Sequence, residues 1–95
     1  MDSYFREFLA DIPDSGLGED RICDVFVQRV YDDPTKATSF KWAVSIMRFK
    51  GNDLEEAKTL ATFVNYKLAL DFGKKVKEAF EKKGYETYLK GEVGE

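Results

Sequence analysis

Asp53-Leu54-Glu55-Glu56-Ala57-Lys58-Thr59-Leu60-Ala61-Thr62-Phe63-Val64-Asn65-Tyr66-Lys67-Leu68 opens a run that continues to Gly84, and its reading decides the fold. Leu54, Ala57, Ala61, Val64, Leu68, Phe72, Val76 and Phe80 stand three or four apart, the spacing that lines one side of a helix. Asp53 is placed to cap such a helix, and Glu56 three residues later completes a capping box. Opposite charges four apart, among them Lys67/Asp71 and Lys77/Glu81, each add about 0.3 kcal/mol. The expectation is therefore one long helix over 54–83. Its weak points are Asn65-Tyr66 and Gly73; if it breaks there, Lys67–Leu70 becomes a short strand and Asp71 a second cap. Gly84, preceded by Lys82 and Lys83, suits the position just past a helix C-terminus.

Upstream of this run the pattern changes period. In residues 38–49, Phe40, Trp42, Val44 and Ile46 alternate with Ser39, Lys41, Ala43 and Ser45, which predicts a strand with one buried face. Residues 21–31 are β-branched and aromatic with no glycine or proline, and predict a partner strand. Asp32-Asp33-Pro34-Thr35-Lys36 between them is a turn, so the two strands form an antiparallel hairpin. Downstream, Tyr85 to Lys90 alternates as a last strand. At the other end, residues 3–10 read as a short helix with Ser3 as its cap. Asp11 to Gly18 follows as a turn-rich loop. The fold class is then α+β. A short N-terminal helix and loop (1–20) precede a core (21–90) of antiparallel β-hairpin, long helix and final strand, a ββαβ sheet with the helix on one face. Residues 91–95 are expected to fray, and the 95 residues make a single domain. So few strands leave one sheet face in need of cover, from the N-terminal helix or from a second subunit.

Composition excludes more than any motif suggests. The chain has no histidine and one cysteine. Histidine is the usual general acid/base and the commonest nitrogen metal ligand, so Ser-His-Asp and Cys-His pairs and the usual zinc sites cannot be built. There is no phosphate-cradling glycine loop, and an enzyme is not expected; nor is a cofactor or a metal. Asp11, Asp14, Glu19 and Asp20 crowd one loop, but their spacing matches no EF-hand and solvated turn acids are the simpler reading. Cys23 reads as a buried core residue in a reducing, cytoplasmic compartment. No apolar run approaches the roughly 20 residues of a membrane span. Net charge is −3, divided as −6 over residues 1–33, +5 over 34–90 and −2 in the tail. The plain consequence is attraction between the two halves within the fold.

Gly51-Asn52-Asp53-Leu54-Glu55-Glu56-Ala57-Lys58, followed by Val76-Lys77-Glu78-Ala79-Phe80-Glu81-Lys82-Lys83-Gly84-Tyr85-Glu86, resembles the C-terminal domain of the bacterial ribosomal stalk protein. The Clp protease adaptor has a related β-α-α-β-α-β fold. The resemblance implies a non-catalytic recruiter of other proteins. The family has a basic helix where residues 40–49 alternate here, so none of its contact residues is carried over.

Two sets of residues are candidates for binding. Tyr4, Phe5, Phe8 and Leu9 make an apolar stripe that either packs over the sheet or docks on another chain. The surplus of aromatic residues favours such a contact, and with it a small adaptor or inhibitor of a larger machine. Small proteins of phages and mobile elements have this make-up. The alternative is a nucleic-acid interface. Lys41, Arg48 and Lys50 on or near the second strand, with Lys74 and Lys75 on the helix, would contact phosphates while aromatic rings stack on bases. The expected partner is another protein, with a homodimer as one form of it.

Overall fold

A computed structural model describes residues 2–16, 18–33, 35–36 and 39–91, the side chains of Asp2 and Ser3 excepted. The cap expected of Ser3 and the turn role of Pro34 lie outside the described residues; of the tail 91–95 expected to fray, Gly91 ends the last strand paired with Val27, and 92–95 lie outside the described residues. The hairpin is present: β1 (Arg21–Tyr31) pairs antiparallel with β2 (Phe40–Lys50), with Val25 opposite Ile46 and Val27 opposite Val44. Odd positions of β1 and even positions of β2 therefore share one face, and both sets are apolar enough to bury.

The helix expected over 54–83 is not one element. Its first part is a strand, β3 (Asp53–Phe63), antiparallel to β2, and only its second part is a helix, α2 (Tyr66–Lys82). Lys67–Leu70 is likewise no strand and Asp71 no cap, since both lie inside α2. Two features misled the spacing. Gly51 and Asn52 are the whole connection between β2 and β3, with Gly51 at φ 61°, the positive value that a type II′ hairpin asks of its first central residue. The β2–β3 register also shifts twice, between Val44 and Ser45 and between Arg48 and Phe49. Each shift adds a residue to β3 and stretches a two-residue repeat into three. Leu54 and Ala57 thus sit on one face, and Leu60, Ala61 and Phe63 pack on the other. The spacing resembles that of a helix although the backbone is extended.

Asn65 is the true helix start. Its side chain accepts from the Leu68 N–H at 2.9 Å, so the first weak point of the run is the element boundary. Gly73 is not a break; it is buried where α2 lies closest to the sheet. Gly84 follows the helix at φ 90°, and Tyr85 N donates to Phe80 O at 3.1 Å, as a glycine-terminated helix requires. The chain then forms β4 (Glu86–Gly91), parallel to β1, giving a four-stranded mixed sheet in the order β3-β2-β1-β4.

The architecture is α+β, with one core on one side of the sheet. Cys23, Val25, Val27, Trp42, Val44 and Ile46 meet Ala69, Phe72, Val76 and Phe80 of α2. The N-terminal helix, α1 (Asp2–Ala10), covers the part of this same side that α2 leaves open. Phe5 sets its ring 5.5 Å from that of Phe72, and Lys58 of β3 lies 4.8 Å from the Phe8 ring centroid. The following loop is tied to the end of α2: Tyr85 Oη donates to Pro13 O at 3.0 Å, Lys83 Nζ to Ile12 O at 3.1 Å, and Ser15 N to Lys83 O at 2.7 Å. Acids of the first third pair with bases of the remainder: Asp24–Lys90 and Asp14–Lys83 at 3.4 Å, Glu19–Lys50 at 3.6 Å. The uneven charge distribution is thus used inside the fold. No helix among the described residues is long and apolar enough to cross a membrane.

Candidate interaction surface

Both helices lie on one side, so the other side of the sheet carries no second layer among the described residues. The Cα trace is only 19 Å deep along its thinnest axis, the depth of one sheet and one helix layer. The strand registers define this uncovered face row by row. Leu54, Phe49, Ile22 and Glu86 form the first row, and Ala57, Met47, Asp24 and Tyr88 the second. Thr59, Ser45, Phe26 and Lys90 form the third. Thr62, Ala43 and Gln28, then Lys41 and Val30, complete it toward the open end of the hairpin.

The apolar side chains concentrate in the first two rows, at the β2–β3 turn end of the face, and the rows beyond Phe26 are mostly polar or small. Phe26, Met47 and Phe49 are half-buried with no layer above them, while Leu54, Val30 and Tyr88 are about half exposed, at 51, 46 and 46 %. A shallow groove of about 400 Å³ runs along Phe26, Ser45, Met47, Ala57 and Thr59. Its polar atoms are engaged locally. Ser45 Oγ and Thr59 Oγ1 lie 3.0 Å apart, Tyr88 Oη donates to Glu86 at 2.5 Å, and Lys90 bridges Asp24 and the Phe26 ring. The bond to Glu86 pushes the Tyr88 phenol above its ordinary pKa.

The residues singled out in the sequence fall elsewhere. Phe5, Phe8 and Leu9 pack against the core, taking the first of the two roles open to that stripe, and Tyr4 is 60 % exposed beside Lys58. The five bases do not converge. Lys41 stands at one end of the uncovered face, and Lys74 and Lys75 are exposed on α2. Arg48 and Lys50 belong to the helix side. There Arg48 is held by Glu56 at 3.0 Å, Glu55 at 3.5 Å and the Tyr85 hydroxyl at 3.4 Å. Arg21 beside it reaches Glu55 at 2.7 Å and Glu19 at 3.2 Å, closing an ion-pair cluster at the end of the sheet. Glu19 also accepts the Gly16 N–H at 2.6 Å; that bond first, and the Arg21 guanidinium second, hold its carboxyl below the ordinary range.

Cys23 is fully buried, and burial next to Asp24 pushes its thiol up to about 12. It is protonated at neutral pH and shielded, so a disulfide-exchange reagent at pH 8 is expected to modify it only as fast as the chain unfolds. Rapid modification of the folded protein would show instead that β1 opens locally. Among the described residues, no group of three or more Cys, Asp or Glu side chains is placed to hold a metal ion.

Sequence reasoning expected one sheet face to need cover from the N-terminal helix or a second subunit; α1 packs on the α2 side instead, and the residues of the uncovered face were not identified although a signal for them exists. In β1 the odd positions Cys23, Val25 and Val27 are apolar, and so are Ile22, Phe26 and Val30 at the even ones. A strand apolar on both sides expects cover on both sides. Met47 and Phe49 extend the same message on β2. No protein-family model, no curated protein and no solved structure matches the chain.

Proposed function

We propose that this chain is a small, non-catalytic protein-interaction module that acts by burying its uncovered sheet face against a protein partner. The observation that carries the reading is the cluster of Ile22, Phe26, Met47, Phe49, Leu54 and Tyr88 on a face with no layer of its own. An apolar patch with few charges in it is the anatomy of an interface, where aromatic residues and Met are enriched. The lack of histidine and the protonated, buried Cys23 support a role in contact rather than chemistry. An adaptor or an inhibitor works in this way, and the unpaired thiol suits the reducing cytoplasm.

The test is capture from the lysate of the native source by the tagged chain, beside Met47→Glu and with or without nuclease. The expected result is a discrete set of proteins that survives nuclease and high salt and is lost with Met47→Glu. Capture that ignores Met47→Glu and disappears with nuclease would overturn the reading. It would turn attention to Lys41, Lys74 and Lys75, whose phosphate contacts would weaken steeply with salt.

A further inference from the structure

Resting on that reading, we infer that the occupant of the uncovered face is a second copy of this chain. The two sheets stack to give an α/β/β/α dimer about a two-fold axis that crosses the strands. The first argument is charge. The chain is −3 overall, yet this face carries two acids, Asp24 and Glu86, and two bases, Lys41 and Lys90. It is neutral where the rest of the molecule is repulsive. The signs are also ordered along the strands. Glu86 and Asp24 stand in the first two rows, Lys90 in the third, and Lys41 beside Val30 at the far end. A two-fold axis across the strands, passing beside Tyr88, reverses each strand over its own copy and lays Glu86 of one copy over Lys90 of the other. Isologous pairing of this kind is the commonest symmetry of soluble oligomers, and it needs a surface that complements itself.

Area supplies the second argument. β1, β2 and β3 have 11 residues each and β4 has six. At about 3.3 Å per residue and about 4.8 Å between strands, such a face spans roughly 600 Å². Specific interfaces bury about 600–1,000 Å² on each side, so this face meets the requirement with nothing added. Sheets stack this way in β-sandwiches, about 10 Å apart with mean strand directions within about 30°. The free edge of β3 is a poorer meeting place. It carries two register shifts and the charged Glu55, Glu56 and Lys58, devices that discourage edge-to-edge pairing.

The experiment is sedimentation equilibrium of the full chain over a range of concentrations. Wild type is expected to dimerise, and Met47→Glu to raise the dissociation constant at least about 30-fold, as loss of a central interface residue does. Two further variants keep the test independent of Met47: Asp24→Lys/Glu86→Lys, with a basic face, and Lys41→Glu/Lys90→Glu, with an acidic one. Each alone is expected to be monomeric, and their equimolar mixture to recover the dimer. A monomeric wild type would overturn the inference, as would a dimer indifferent to Met47→Glu or a mixture that stays monomeric. None of these results touches the broader reading, which falls only if capture of proteins from the lysate is also indifferent to Met47→Glu.

Discussion

Replacing Phe80 by alanine is expected to lower the unfolding free energy by about 4 kcal/mol, within the range of about 3–5 kcal/mol found when buried phenylalanines are truncated. Phe80 is the largest fully buried side chain, at 0 % exposure, and its ring meets that of Tyr85 edge-on at 5.3 Å. The loss falls at a point where three parts of the fold meet. The Phe80 carbonyl accepts from Lys83 N and Tyr85 N, closing α2. Tyr85 in turn holds the loop after α1 through Pro13 O, and takes a hydrogen bond from Arg48 at 3.4 Å. A cavity at Phe80 therefore loosens the helix end, the N-terminal loop and the ion-pair cluster together. For a chain of this size about 4 kcal/mol corresponds to a fall in Tm of roughly 20 °C, measurable by circular dichroism. A fall of only a few degrees would show that Tyr85 and its neighbours collapse into the space. Phe80→Leu, which keeps most of the volume, is expected to lose less than half as much.

Gly73→Leu is expected to cost about 3 kcal/mol, and Gly73→Ala to stay within about 1 kcal/mol of wild type. A Cβ at Gly73 would lie 3.2 Å from both Leu89 Cδ1 and Val27 Cγ2, closer than ordinary van der Waals contact. One methyl group asks these two side chains to yield by a few tenths of an ångström. The cost is offset by the better helix propensity of alanine, about 1 kcal/mol over glycine. A leucine has nowhere to go: the sheet is directly below and α2 is held at both ends, by Asn65 and by the Phe80–Tyr85 turn. The helix must lift from β1 and β4, exposing Val27 and Leu89. Chemical denaturation of the two variants checks the pair of values. Equal stability of leucine and alanine would mean that α2 does not pack where Gly73 places it.

Where residues answer to one buried face and one solvated face, the sequence is legible. Phe40, Trp42, Val44 and Ile46 alternate cleanly because the residues between them, Lys41, Ala43 and Ser45, are polar or small, so β2 and its hairpin with β1 follow from period two alone. Gly84 marks the end of α2 because capping depends on the local residue type, whereas Asn65 was legible only as a weak point and not as the helix start. The stretch 53–63 was not legible as a strand. Leu, Glu, Ala and Lys are good helix formers, and two bulges gave them helical spacing. Only the two-residue connection Gly51-Asn52 signals the hairpin, and the same residues also suit a helix start. The binding candidates divided in the same way. Tyr4, Phe5, Phe8 and Leu9 were recognisable as an apolar stripe, but which surface they cover is a question of docking. Arg48 was recognisable as a base, but not as one already held by Glu55 and Glu56.

The sequence by itself determined the α+β class, the β1–β2 hairpin, the C-terminal end of α2, the burial of Cys23 and the lack of histidine chemistry. All of these depend on residue type and on spacing over a few positions. Tertiary structure alone decided that residues 53–63 extend along β2, that α1 joins α2 on one side, and that Ile22, Phe26, Met47 and Phe49 are left without cover. The physical reason is that a strand takes its hydrogen bonds from a neighbouring strand rather than from within itself, and that β2 had a free edge to offer. Those bonds outweigh a helix propensity of a few tenths of a kcal/mol per residue. The same holds for the uncovered face: local pattern shows which side chains are apolar, but only the placement of both helices shows which of them remain for a partner.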